Sequence, residues 1–301
     1  MMENRKVCII IVSYNFEPWI DKCLPSVFAS TLPVTVMVID NNSSDNTVAR
    51  IKQDYPQVML IENNTNLGFG KANNVGLSYA LKNNFDYAFL LNQDAWIEKD
   101  MLEKLIVASE TNPDFGIISP VHLSSDGKSL DHGFANYSKK KTIKDLPQTS
   151  LQLVEIPFVN AAFWLLPIET VKKIGGFSPL FYHYGEDRNY IQRTAFHNYK
   201  IGYLPSAFAT HDRKNRKVTN KAFMYAEYVY FLSELANINY NIFKAIAYSV
   251  LAAIKKIFTE GYDGRAYNSG AYFKMAILLM RKIAASSATR KKTKKVGAHY
   301  L

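Results

Sequence analysis

The chain is poor in cysteine, with two in 301 residues, Cys8 and Cys23. Both lie in apolar stretches, and there is no CxxC or Cys/His cluster. This excludes a disulfide framework and a cysteine-based zinc site, and buried thiols in a reducing compartment are expected. Long apolar runs are missing too: nothing approaches the ~18 residues of a membrane span. The apolar start "VCIII" runs straight into "VSYN" without a small-residue cleavage site. A signal peptide is therefore not expected, and the chain is placed in the cytoplasm. No Ser/His/Asp or Cys/His arrangement suggests a covalent nucleophile. No helix-turn-helix, RNP-like or finger pattern supports nucleic-acid binding. Acidic residues are scarce in one region only. Residues 1–212 hold 19 Lys and Arg against 22 Asp and Glu, a net −3, whereas residues 213–301 hold 17 against 4, a net +13. The excess belongs to the C-terminal third and points to a polyanion, anionic lipid or nucleic acid.

What is present reads as alternating strands and helices. Val7–Val12 is a continuous β-branched run, as expected of a strand covered on both faces. Pro18–Ala29 predicts a helix, Val34–Asp40 a strand, and "NNSSDNTVARIKQDY" a turn, an N-cap and a helix. Val58–Glu62, "NLGFGKANNVGLSYALKNN", Tyr87–Leu91 and Glu98–Thr111 continue the alternation. The pattern predicts an α/β fold, a mostly parallel sheet covered by helices, with ligands bound beyond the carboxyl ends of its strands. After Asp114 the reading is a polar loop or small hairpin through "LSSDGKSLDHGFANYSKKKTIKD". A strand in "FVNAAFWLLP", a short helix in "IETVKKIGGF" and a loop, helix and strand through "HYGEDRNYIQRTAFHNYKIGYLP" follow. From Lys221 the chain reads as helical. Phe243, Ile246, Ala247, Val250, Leu251, Ile254 and Phe258 are at helical spacing, and the end "RKKTKK" reads as disordered.

Singly, the polar clusters on the predicted rim have ordinary explanations. Asp94, after an apolar strand, suits a turn or cap. "NLGFGK" suits either a tight turn or a backbone cradle for an anion. Tyr14 suits a core aromatic and His211 a structural histidine. "GED" suits a helix N-terminus, where carboxylates face free N–H groups.

In combination and in order, "IIIVSYN", "VIDNNSSD", "NLGFGKANNVG", "LLNQD", "GGFSPLFYHYGED" and "ATHDR" resemble a family 2 glycosyltransferase of the GT-A, Rossmann-like fold. Within that family they resemble the rhamnosyltransferase-like enzymes of bacterial surface polysaccharide. The likeness spans about residues 6–213. It implies inverting transfer of a sugar from a nucleotide-diphosphate sugar to an acceptor hydroxyl. By resemblance Asp187 is the base, with Glu186 beside it raising its pKa or touching the acceptor, and Trp164 is a second acceptor contact. Asp94 matches the metal-binding acid of a DxD motif whose first acid is here Asn92, and His211 is the second ligand of Mn²⁺ or Mg²⁺. Val12, Tyr14, Asp40, Gly68, Gly70, Lys71 and Asn92 would hold the nucleotide and its diphosphate. Asn189 stands where the family usually has an acid, and Arg193 fits a structural arginine.

The resemblance gives a catalytic part, residues 1–212, and a basic helical part, residues 213–301. The helices either pack on the catalytic part or dock on anionic lipid, which suits a polyprenyl-diphosphate-linked acceptor and a peripheral place on the cytoplasmic face of the inner membrane. Two other classes compete. A sugar nucleotidyltransferase would carry a Gly-rich, basic first loop, and "VSYNFEPW" has no glycine. A non-catalytic nucleotide-sugar-binding scaffold would have no need of "GED" and His211.

Overall fold

The computed structural model describes residues 5–148, 151–213, 219–262 and 269–301. The strands are β1 Val7–Ser13, β2 Val34–Asp40, β3 Met59–Glu62, β4 Tyr87–Asn92, β5 Ala95–Ile97, β6 Phe115–Leu123, β7 Val154–Glu155, β8 Phe163–Pro167 and β9 Lys200–His211. Helices α1 Ile20–Phe28, α2 Thr47–Asp54, α3 Phe69–Lys82, α4 Met101–Thr111, α5 His132–Ser138, α6 Ile168–Ile174 and α7 Glu186–Phe196 surround them. The C-terminal part is α8 Asn220–Ala236, α9 Ile242–Ile246, a π-helical stretch Ala247–Leu251, α10 Ala252–Tyr262 and α11 Ser269–Thr293.

Among the described residues the strands make one sheet in the order β3-β2-β1-β4-β8-β6-β9-β5, with β7 on β9. The expected parallel pairing holds through β3-β2-β1-β4. It is interrupted by β8, which is antiparallel to both β4 and β6, and resumes between β6 and β9. Register sets the rim: Ser13 pairs with Asp40, and Val12 with Asn92, so three strand ends carry the polar clusters to one edge. Both sheet faces are covered, which is why Ile9 and Ile11 belong to one core cluster and Cys8 and Ile10 to the other.

Two segments differ from the sequence expectation. The region after Asp114 opens with β6, all nine residues of which are buried. Pro120 has no N–H for the ladder, and the β6–β9 register shifts between Pro120 and Val121. The polar stretch that reads as a loop holds α5, capped by the Asp131 carboxylate accepting from the Phe134 N–H at 3.0 Å. The end that reads as disordered is also built. Arg290 donates to the Asn237 and Tyr240 carbonyls beyond α8, and Lys292 lies 4.5 Å from the Tyr300 ring. The final residues return to the catalytic part. The Gly176 N–H donates to the His299 carbonyl at 2.8 Å, and the Gly297 N–H to that of Lys173 at 2.9 Å.

The apolar positions of residues 243–258 divide between two sides. Val250 is buried and Ile246 and Ile254 partly so, in a cluster with Leu232 and Leu235 of α8 and Tyr272 and Leu279 of α11. Phe243 and Phe258 are 81% and 73% exposed. Among the described residues no helix is long and apolar enough to cross a membrane.

Candidate active site

A cleft of about 430 Å³ opens at the rim. Among its walls are Val12 near the end of β1 and Tyr14 just beyond it, Asn41 beyond β2, Gly68 before α3, Asn92 at the end of β4 and Asp94 beyond it. Tyr14 is half exposed and held by its backbone. Its N–H donates to Gln93 Oε1 at 2.7 Å, and its carbonyl accepts from Gln93 Nε2 at 3.0 Å. Gln93 escapes a motif-by-motif reading because its task is to fix a neighbour.

Gly68 has φ +79°, and a Cβ there would meet the Tyr182 carbonyl oxygen at 2.1 Å. Only glycine lets the loop before α7 close on this turn. Tyr182 and His183 of that loop also line the cleft, and the Tyr182 hydroxyl donates to the Asn66 carbonyl at 3.2 Å. A Cβ on Gly70 would lie 2.9 Å from Phe177 Cβ, so this glycine serves helix packing and does not line the cleft.

His211 ends β9, where it pairs with Ala95 of β5, and its side chain is buried. Its Nε2 is 3.2 Å from Asp94 Oδ1 and 3.3 Å from the Asn92 amide nitrogen. Oxygen and nitrogen of an amide exchange by a flip, so Asn92 can turn an oxygen to the same point. His211 Nδ1 is buried without a partner. No group of three His, Cys, Asp or Glu assembles among the described residues. Imidazole nitrogen, carboxylate oxygen and amide oxygen are donors that Mn²⁺ and Mg²⁺ accept. The 3.2 Å between Nε2 and Oδ1 suits an edge of an octahedron with bonds of about 2.1–2.2 Å. The residues therefore fit such an ion.

The acidic pair opens α7. Gly185, at φ +80°, precedes it, and Tyr184 has φ +64°, a strained value for a residue with a side chain. The Asp187 carboxylate accepts from the Arg188 N–H at 2.6 Å, and burial raises its pKa. Arg213, two residues beyond His211, is close enough to oppose that rise by its charge. Glu186 is 5% exposed and its Oε2 has no partner. Burial first, and then the charge of Asp187, push its pKa up to about 7. Of the two expectations for Glu186, raising the pKa of Asp187 or touching the acceptor, the first runs the other way: the charge of Asp187 raises Glu186, while burial is what raises Asp187.

This has a consequence for stability. Between the ordinary glutamate value near 4.5 and about 7, the native state holds a proton on Glu186 that the unfolded chain has lost. This group therefore lowers stability as pH rises through that window, by on the order of 3 kcal/mol in total. Glu186→Gln removes the term. The gap in unfolding free energy between variant and wild type should widen in the variant's favour from pH 4.5 to 7.5. A constant gap in denaturant titrations would contradict the assignment. The depressed pKa of buried His122 gives the opposite slope and cancels in the difference.

Besides Gly70, three expected site residues lie elsewhere. Trp164 is 0% exposed, with its ring 6.0 Å from that of Phe177 and 5.6 Å from that of Tyr190. It is core beneath α7, and the expectation of an acceptor contact is corrected. Asp40 is 2% exposed, and its carboxylate accepts from Ser13 Oγ at 2.8 Å, Ser43 N at 2.9 Å and Ser43 Oγ at 2.5 Å. It shapes the turn, and Asn41 lines the cleft instead. Lys71 lines a separate cavity of about 610 Å³ with Asn74, Tyr79 and Tyr300.

Residues 8–175 match the family "Glycosyl transferase family 2". The N-acetylglucosaminyl-diphospho-decaprenol L-rhamnosyltransferase of Mycobacterium tuberculosis is 24% identical over 231 residues, 68% of this chain and 75% of that protein. A further relative, Glycosyltransferase GlyA of Streptococcus pneumoniae, is 29% identical over 108 residues, and the match covers 35% of this chain and 15% of that protein. Among solved structures, S. aureus TarS 1-349 in complex with UDP-GlcNAc superposes with TM-score 0.57 at 15% identity, covering 96% of this chain and 89% of that one. The mannosyltransferase PcManGT of Pyrobaculum calidifontis, in complex with GDP-Man and Mn²⁺, gives 0.54 at 18% identity, covering 95% and 82%. These structures share the GT-A fold. With a family match across more than half its length, the chain belongs to glycosyl transferase family 2.

Proposed function

We propose that the protein is an inverting glycosyltransferase that moves a sugar from a nucleotide-diphosphate sugar to a hydroxyl of a lipid-linked glycan in bacterial polysaccharide biosynthesis. The observation that carries the reading is the convergence of Asp94 and His211, 117 residues apart, beside the rim cleft. The donor's nucleotide lies against Tyr14, and its diphosphate runs between Gly68 and Asp94. Asn92, Asp94 and His211 would hold Mn²⁺ or Mg²⁺ there, which would offset charge on the leaving diphosphate. Asp187 takes the proton of the acceptor hydroxyl as its oxygen bonds to the sugar's anomeric carbon. The bond from that carbon to the diphosphate breaks, and the nucleoside diphosphate leaves. One displacement needs one base and inverts the centre. Burial raises the pKa of Glu186 to about 7, so much less negative charge stands beside Asp187 than an ordinary glutamate would place there.

The test is a screen of nucleotide sugars with metal present, reading slow release of nucleoside diphosphate. Cleavage of none of them would favour the scaffold reading, and formation of a sugar nucleotide from a nucleoside triphosphate would favour the nucleotidyltransferase.

The lipid-linked acceptor rests on the named substrate of the mycobacterial relative and on the C-terminal surface. Phe243, Leu251, Phe258 and Phe273 project there with Lys244, Lys255 and Lys274 on the same helices. Such a surface suits an anionic bilayer. At about 1 kcal/mol per basic residue, the triple variant K244E/K255E/K274E should bind phosphatidylserine vesicles at least about tenfold more weakly than wild type. Equal flotation of the two proteins would refute the contact.

A further inference from the structure

We infer that Arg188 is an anion-binding residue that receives a phosphate of the acceptor, a diphosphate-linked glycan, beside the base; this rests on the glycosyltransferase reading above. Arg188 follows Asp187 in the first turn of α7. Its guanidinium carbon lies 5.3 Å from the Phe158 ring centroid and 5.1 Å from that of Tyr230. One ring comes from the catalytic part and the other from α8, so the cation stands where the two parts meet. Among the described residues no carboxylate pairs with it, whereas Arg5 and Arg50 do have acidic partners.

A cation fixed between two aromatic faces has lost rotamer freedom before any ligand arrives. The faces leave the edge of its N–H fork for a planar or tetrahedral anion. The Asp187 carboxylate accepts from the Arg188 backbone N–H and makes no ion pair with the guanidinium, although the charge of Arg188 reaches it and opposes the rise in its pKa.

A second observation points the same way. Tyr137 packs edge-on against Phe158, with ring centroids 5.5 Å apart, and its buried hydroxyl reaches no partner other than the Asn160 backbone. Buried polar atoms left open are costly unless something completes them. Here the hydroxyl belongs to a ring that packs on Phe158, which holds Arg188, and the charge of Asp187 reaches it. A polar, anionic group would satisfy the tyrosine hydroxyl and the guanidinium together. Its position beside the base then sets the acceptor hydroxyl toward Asp187, while Tyr230 directs the remainder of the acceptor toward the exposed face of α8.

The experiment measures binding and is independent of turnover. Full-length wild type, R188Q and R188K are titrated calorimetrically, in chelator, with inorganic pyrophosphate and with farnesyl diphosphate. Phosphatidylglycerol vesicles form a separate arm. Glutamine keeps a planar group between the rings but no charge, and lysine keeps the charge. R188Q is expected to lose about tenfold or more in affinity for both soluble diphosphates, and R188K to retain most of it. Unchanged pyrophosphate binding by R188Q overturns the proposal, as does absence of binding by wild type. Equal losses in R188K and R188Q would show a packing role only. A loss confined to vesicles would assign the residue to general lipid contact. Because no sugar is transferred, failure here leaves the donor-cleavage result standing, and failure of donor cleavage does not alter this readout.

Discussion

Asp187→Asn should lower sugar transfer by about 10³-fold or more, the scale of removing a positioned base, while nucleoside diphosphate binding stays within about twofold of wild type. The split is expected because the acid and the nucleotide cleft are on different elements. Asp187 is in the first turn of α7, whereas Tyr14 follows β1, Asn92 ends β4 and Asp94 follows it. The substitution preserves shape, and it removes a carboxylate whose ionised form is disfavoured by burial, so the fold should survive. Steady-state transfer with isothermal titration of the nucleoside diphosphate checks both halves. Transfer by the variant at the normal rate would move the base elsewhere, with Glu186 the next candidate. The raised pKa of Asp187 also predicts that the acidic limb of the pH–rate profile lies above the ordinary aspartate range. Substitution of the base would remove that limb.

Chelation should have the other large effect. Transfer is expected to fall by roughly 10²-fold or more in EDTA and to return with Mn²⁺ or Mg²⁺, because charge on the leaving diphosphate is then left to the protein alone. His211→Ala and Asp94→Asn should each weaken metal-supported nucleotide binding. Asn92 leaves the DxD position one carboxylate short, so the ion should bind weakly alone and more tightly with nucleoside diphosphate. Linkage requires that the nucleotide gain by the same factor. Titrating Mn²⁺ with and without nucleotide measures it. Full activity in chelator would remove the metal role from Asp94 and His211.

How far the sequence carries depends on the kind of information each residue holds. β1, β2 and β4 are legible because a strand covered on both faces must be a continuous apolar run, and their ends place the polar clusters on one rim. Asp94 and His211 are legible by motif, although neither announces the other across 117 residues. Trp164 is not legible. In a run such as "FWLLP" both faces are buried, so residue type cannot say whether a ring meets substrate or core. Asp40 is obscured for another reason. Its hydrogen bonds to Ser13 and Ser43 are made by the fold, and a carboxylate engaged that way looks no different in sequence from one aimed at a ligand. The basic end misleads because composition counts charges without their partners. Arg290 lies against carbonyls left open beyond α8.

Arg193 donates to the Ile174 and Gly176 carbonyls at 2.9 and 2.6 Å, and its guanidinium lies over the rings of Tyr190 and Tyr300. Phe177, next in the chain, packs its ring against Tyr190 of α7 and is clamped at both backbone groups by Asn74. The last residues of the chain are therefore mortar for α7, the helix whose first turn holds Asp187. In a chimera between related enzymes, exchanging everything after His211 to borrow another acceptor would also exchange that mortar. Such a graft carries its own Arg193 pocket with it, or arrives with a loosened base.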